Sequence, residues 1–240
     1  MQLLFQGFLL SLMKKLLVPY LDIRKAAGDI EQVSILLDKL PENTIDNQPW
    51  PEFTNKLQAS FSIAHTGEAI LLKYNVTEEA LKVATFETNG AVHKDNCVEF
   101  FVSFGNEESY YNIEMNCIGV GLIAYGSARL NRTFIPKKLV EKIQTYIKIK
   151  TVPDKNETPY TWEITLIIPI AVFLHSDLKT FSNQTAQGNF FKCGDDLPQP
   201  HFYSWNMIHA ATPDFHLPKF FGALTFERIF KSDKLEQAKC

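Results

Sequence analysis

CVEFFVSFGNEESYYNIEMNC, residues 97–117, reads as two strands joined by a short polar turn. Val98, Phe100, Val102 and Phe104 share one face of a period-two pattern, and Tyr111, Ile113, Met115 and Cys117 repeat it in the second half. That spacing predicts an antiparallel hairpin with one side turned to a core. The other face carries Glu99 and Ser103 on the first strand, with Asn112, Glu114 and Asn116 on the second. Unpaired polar groups are costly in an interior, so these belong against water or around a ligand. A half-solvated sheet face and the floor of a ligand site are both open readings.

Working outward, short β-rich runs separated by turns surround the hairpin. ASFSIAH (59–65), AILLKYNV (69–76) and LKVATFET (81–88) precede it, and GVGLIAYG (119–126), IQTYIKIKT (143–151) and YTWEITLII (160–168) follow. Asp29 to Leu40 spaces Ile30, Val33, Leu36, Leu37 and Leu40 at helical intervals, with Asp29 as N-cap and Pro41 as stop. A second short helix fits within Pro136 to Lys142. With no repeated strand–helix–strand unit and no fixed period, the expected fold is all-β. It is an antiparallel, jelly-roll-like β-sandwich of about ten strands with one or two short helices.

Composition narrows the function classes. The 240 residues carry 24 Lys plus Arg against 27 Asp plus Glu, a net charge of -3, with no basic run, so nucleic acid is not an expected partner. Cys97, Cys117, Cys193 and Cys240 lack C-x-x-C spacing and give no zinc-motif or thioredoxin signal. Free thiols suit a reducing compartment, and Cys97 could meet Cys117 only if the hairpin register allowed it. Residues 1–12 are apolar but lack leading charges and a cleavage site, and are too short to span a bilayer. They read as an extension upstream of a start at Met13. A cytoplasmic location without membrane partners follows, with an unusual export signal ending at Lys14 and Lys15 as the alternative. The organisation expected is a segment 13–58 packed on a domain 59–230, then a polar tail 231–240. Trp50, between Pro49 and Pro51, reads as a plug over one end of a core.

Catalytic motifs are missing from the sequence. There is no G-x-S-x-G, Walker loop, G-x-G-x-x-G or H-E-x-x-H, and His201, His209 and His216, seven to eight residues apart, form no H-x-H followed by Glu of the kind a metal-binding cupin shows. Glu99, Glu114 and Asp195 could supply the carboxylate pair of a glycoside hydrolase. Sugar binding asks instead for aromatic faces against C–H surfaces and for charged or amide groups against hydroxyls. Glu99, Asn112 and Glu114 offer the second kind. The block Asn189 to Glu227 adds Lys192, Asp195, Trp205, Phe215 and His216.

Three stretches also carry a resemblance: VHKDNCVEFF (92–101), Ser204-Trp205, and PDFHLPKFFGALTFE (213–227). Over about Phe61 to Glu227 the chain resembles family 9 carbohydrate-binding modules, most closely the family-9-like single-domain proteins of gut bacteria. The resemblance implies a β-sandwich related to DOMON-type domains, non-catalytic saccharide binding and structural calcium. It also implies a clamp of two tryptophans on the reducing end of a sugar. The clamp positions fall on His93 and Phe215, the family's acidic residues on Glu99 and Asp195, an arginine on Glu114 and a glutamine on Lys192. The expected site therefore has His93 and Phe215 flanking a saccharide over Glu99, Asn112 and Glu114, with Lys192 and Asp195 on its hydroxyls. A carbohydrate-active hydrolase, a DOMON-like haem binder using Met115 or a His, and a scaffold with a degenerate site are the alternatives.

Overall fold

The computed structural model describes residues 13–26, 28–53, 55–105, 108–151 and 159–230. The apolar extension 1–12, the tail 231–240 and Cys240 lie outside the described residues. The strands are β1 (Lys15–Val18), β2 (Asn43–Thr44), β3 (Gln58–His65), β4 (Ala69–Glu78), β5 (Cys97–Phe104), β6 (Tyr110–Asn116) and β7 (Gly121–Gly126). They continue with β8 (Thr133–Phe134), β9 (Gln144–Thr151), β10 (Tyr160–Pro169), β11 (Thr185–Gly194), β12 (His201–Ser204) and β13 (Gly222–Phe226). Two helices accompany them, α1 (Ile30–Leu37) and α2 (Lys137–Val140).

Two sheets result. One has eight strands in the order β1-β13-β11-β5-β6-β7-β8, with β12 also paired to β11; the other runs β2-β3-β4-β10-β9. Pairing is antiparallel except for β1 beside β13, which run parallel. A parallel pair needs a long crossover, and nearly the whole domain serves as one here. Residues 13–58 therefore do more than pack on a separate domain: β1 and β2 are strands of the two sheets themselves. Among the described residues no helix is long and apolar enough to cross a membrane.

The inward faces meet in the main core, where Phe190 stacks between Phe61 and Phe100 at centroid distances of 3.7 and 4.6 Å. Val98, Phe100, Val102, Phe104, Tyr111, Ile113, Met115 and Cys117 all belong to it, as the hairpin pattern requires. Helix α1, capped by the Asp29 carboxylate accepting from Glu31 N at 2.9 Å, lays Val33 and Leu37 on the outside of the smaller sheet.

Two expectations are corrected. The outer face of the hairpin is not half-solvated, because every residue of β5 and β6 is buried. Trp50, Phe215, Phe220 and Phe221 cover it, together with Phe101, Tyr110 and Phe191 from the sheet. Residues 81–88 are not a strand either. Many of their backbone partners are side chains: the buried Asp95 carboxylate accepts from Ala84 N at 2.8 Å and Thr85 N at 3.0 Å. Asn96 bonds Lys82 N and Ala80 O, and Asn116 Nδ2 donates to Thr85 O. With those groups satisfied, no neighbouring strand is needed, and the alternating texture of LKVATFET has no sheet to join.

Candidate functional site

Alternation along β5, β6 and β11 sends Glu99, Asn112, Glu114 and Cys193 to the outer face of the larger sheet. There they floor a cavity of about 600 Å³. His93, from the single helical turn Val92–Lys94, and Asp195, just beyond β11, form part of its wall. Phe215 and His216 approach from the loop before β13. Seven of the nine residues expected from sequence therefore share one cavity.

The other two do not. Lys192 alternates with Cys193 and shares the inter-sheet face with Phe190, opposite Val98. Its Nζ lies 3.0 Å from Glu78 Oε2 with both side chains 0% exposed. That approach lacks hydrogen-bond angles and is a Coulombic contact; the ammonium donates instead to His201 Nε2 (2.8 Å) and Cys193 O (2.9 Å). Trp205 is core, edge-on to Phe61 and Phe190 at 6.1 and 5.6 Å. The doublet Phe190-Phe191 hides the parity of β11 in the sequence, and a one-residue shift moves every side chain to the other face.

Electrostatics on the floor are uneven. Glu99 and Glu114 stand directly opposite each other on neighbouring strands. Burial, and then the Glu114 charge, pushes the Glu99 carboxyl far above its ordinary range, so it is held toward its neutral form. Cys193 Sγ donates to Glu99 Oε1 at 3.1 Å. Glu114 Oε1 accepts from Asn112 Nδ2 at 2.8 Å, while Oε2 is buried without a hydrogen-bond partner. His93 Nδ1 lies 3.7 Å from it, outside direct hydrogen-bond range. Glu114 nonetheless raises the His93 pKa, and burial raises that of Asp195. His216 Nδ1 shares a hydrogen bond with Tyr110 Oη (2.9 Å), and the His216 pKa is pushed down to about 3 by burial and by Arg132.

Sequence reasoning missed the β7–β8 loop. It brings Arg129, Leu130 and Arg132 to the cavity, and β8 adds Phe134. Arg132 Nε donates to Asn112 Oδ1 (2.8 Å), Nη1 to Gly126 O and Ala128 O, and Nη2 to Tyr110 O (2.7 Å). Its guanidinium lies 4.3 Å from the Tyr110 ring centroid. An arginine therefore does reach the site, from the next hairpin rather than from position 114. The signal was the turn S-A-R-L-N-R-T, where Asn131 takes a positive φ of 58°. Phe134 is 55% exposed at the rim, whereas Phe215 is 8% exposed, its ring stacked on Phe191 at 4.2 Å. The aromatic face open to a ligand is that of Phe134, not the expected Phe215.

Calcium takes six to eight oxygen ligands. Among the described residues the group of His, Cys, Asp or Glu side chains close enough to share an ion is Cys97, Glu99 and Cys193. That set is too soft for calcium, and Asp95 has its carboxylate filled by N–H donors. Met115 lies in the main core rather than on the cavity wall, so it is not placed as a haem ligand there.

His201 and His216, both at about 3 in the fold, give an expected acid response. Unfolding takes up their protons once pH falls below about 6.5, so the stability they contribute is complete above that value. It is lost as pH falls toward 3. Glu99 and Asp195, raised in the fold, act in the opposite sense, so the difference between two proteins is the clean readout. In urea melts between these pH values, His216→Gln should flatten the slope by up to about 1.4 kcal/mol per pH unit. Identical slopes would contradict a buried neutral His216.

The architecture and cavity define a β-sandwich module with a lateral polar pocket. Residues 31–226 match the model of carbohydrate-binding family 9, starting well upstream of Phe61, and the chain belongs to that family. A crystal structure from Bacteroides uniformis, provisionally named as a carbohydrate-binding protein, is 36% identical. It covers 90% of this chain and 100% of its own, with a TM-score of 0.82. A family 9 module from Caldicellulosiruptor kristjanssonii bound to cellotriose is 15% identical, covering 92% and 97%, at a TM-score of 0.54. The glucose complex of a family 9 module from that organism is 14% identical, covering 93% and 100%, at 0.51. At such identity these two share the fold. No curated protein matches the chain.

Proposed function

We propose that this chain is a non-catalytic module that binds a saccharide in the cavity over β5, β6 and β7. The observation that carries the reading is Glu114 Oε2, a buried carboxylate oxygen without a hydrogen-bond partner on the floor of a 600 Å³ cavity. A sugar hydroxyl supplies the donor it lacks, and a charge-assisted bond of this kind is about twice as strong as a neutral one. Asn112, Asp195 and His93 extend the polar surface, and Phe134 offers a ring to the C–H face of a pyranose. The volume lies within the usual range for small-molecule sites. Glu99 and Glu114 stand side by side on one wall rather than flanking a bond, which supports binding over hydrolysis. Buried free Cys97, Cys117 and Cys193 support a reducing, cytoplasmic setting as part of the same proposal.

Calorimetric titration with a panel of mono- and disaccharides tests it. We expect saturable one-to-one binding, weakened about tenfold or more by Glu114→Gln. Phe134→Ala should cost about 0.5–1.5 kcal/mol. No heat with any saccharide at millimolar concentration, or equal affinity in Glu114→Gln, would overturn the reading.

A further inference from the structure

Cys97 on β5 and Cys193 on β11 are direct cross-strand partners, and Glu99 is the next residue of β5 on the same face. The two sulfurs and a Glu99 carboxylate oxygen all lie within 4.8 Å of one another. Around a tetrahedral zinc ion, with bonds of about 2.3 Å to sulfur and 2.0–2.2 Å to oxygen, donors stand roughly 3.5–3.8 Å apart. Small side-chain rotations are enough to reach that spacing, and the strands carrying them are interior members of the eight-stranded sheet.

The chemistry of the set points the same way. Two thiolates and one carboxylate select a borderline or soft ion over calcium or magnesium. Glu99 is 3% exposed, and the donor bonded to its carboxyl group is the Cys193 thiol. A thiol is a weak donor and a poor counterpart for a buried carboxyl group, whereas a divalent cation is a strong one. Three ligands leave one tetrahedral position, and it falls on the cavity side, since Glu99 and Cys193 both line the cavity. Sites with three protein ligands and one open position are the kind that exchange water for a ligand.

We propose that Cys97, Cys193 and Glu99 form a zinc-class metal site at the base of the cavity, with its fourth position open to the cavity. Binding displaces the two thiol protons to solvent, and Glu99 coordinates as the carboxylate. The absence of a C-x-x-C motif is no obstacle, because β5 and β11 bring the ligands together from distant parts of the chain.

The reduced full chain, titrated with Co²⁺ and with Zn²⁺ against a chromophoric chelator, tests the assignment without any saccharide. The expected result is one ion per chain, a sulfur-to-cobalt charge-transfer band and intense tetrahedral d–d bands. Cys193→Ser should abolish the sulfur band or weaken it in proportion to the lost thiolate. Glu99→Gln should keep the band and weaken zinc at least about tenfold. Because either variant could disturb the strand, the wild-type chain supplies a second readout: zinc should raise its melting temperature and slow alkylation of Cys193. No uptake at micromolar zinc overturns the proposal, as does equal uptake by Cys193→Ser or unchanged alkylation. Saccharide binding by metal-free protein stays possible in each case, so the two proposals fail separately.

Discussion

Lys192→Met is expected to lower stability by about 3–5 kcal/mol, the cost of leaving one member of a buried ion pair uncompensated. Glu78 would keep the Trp162 Nε1 donor at 2.6 Å but lose the ammonium, and His201 would lose its donor at Nε2. Chemical denaturation should show a lower midpoint with an unchanged slope. The double variant with Glu78→Gln should recover part of the loss, because burying two neutral groups avoids the stranded charge. A single-variant loss below about 1 kcal/mol would show that Glu78 does not depend on Lys192. Saccharide affinity of the folded variant should stay at the wild-type value, since Lys192 faces the inter-sheet core.

Arg132→Lys should act in the complementary way, with its main effect on binding. The planar guanidinium holds Asn112 Oδ1 and the carbonyls of Tyr110, Gly126 and Ala128 at once, a fork that a lysine point charge does not reproduce. Lost bonds to a charged donor should cost about 1.5–3 kcal/mol of stability. The larger consequence is local: the β7–β8 loop that presents Leu130 and leads into Phe134 of β8 loses its frame, and the Asn112 amide its fixed orientation. Titration should find saccharide affinity reduced at least about tenfold, with faster amide exchange over residues 127–132. Affinity within twofold of wild type would remove Arg132 from the site's framework.

How much of this was legible in the sequence follows from physical range. The hairpin faces, the α1 cap and most strands were readable because period-two alternation and capping are local. The polar floor of Glu99, Asn112 and Glu114 was readable for the same reason. That Trp50 packs on the same outer face beside Phe101 and Phe191 was not, since it comes from a distant part of the chain. Lys192 was misassigned where two adjacent phenylalanines erased the parity of β11. LKVATFET was misread because a buried carboxylate can replace a neighbouring strand as hydrogen-bond partner, which no pattern within the segment reveals. Arg132 was overlooked because a short loop between two modest strands carries no periodicity at all.

The parallel pairing of β1 with β13, which sets Lys15 beside Ala223, bears on the order in which the protein assembles. During synthesis β1 leaves the ribosome early and has no partner until β13 has followed it. The eight-stranded sheet therefore gains one edge strand only at the last step. Until then β13 and β11 must pair first, leaving the apolar side of β1 uncovered and β13 with a free edge, the form of sheet most open to association with another chain. Completion of the sandwich thus waits on β13.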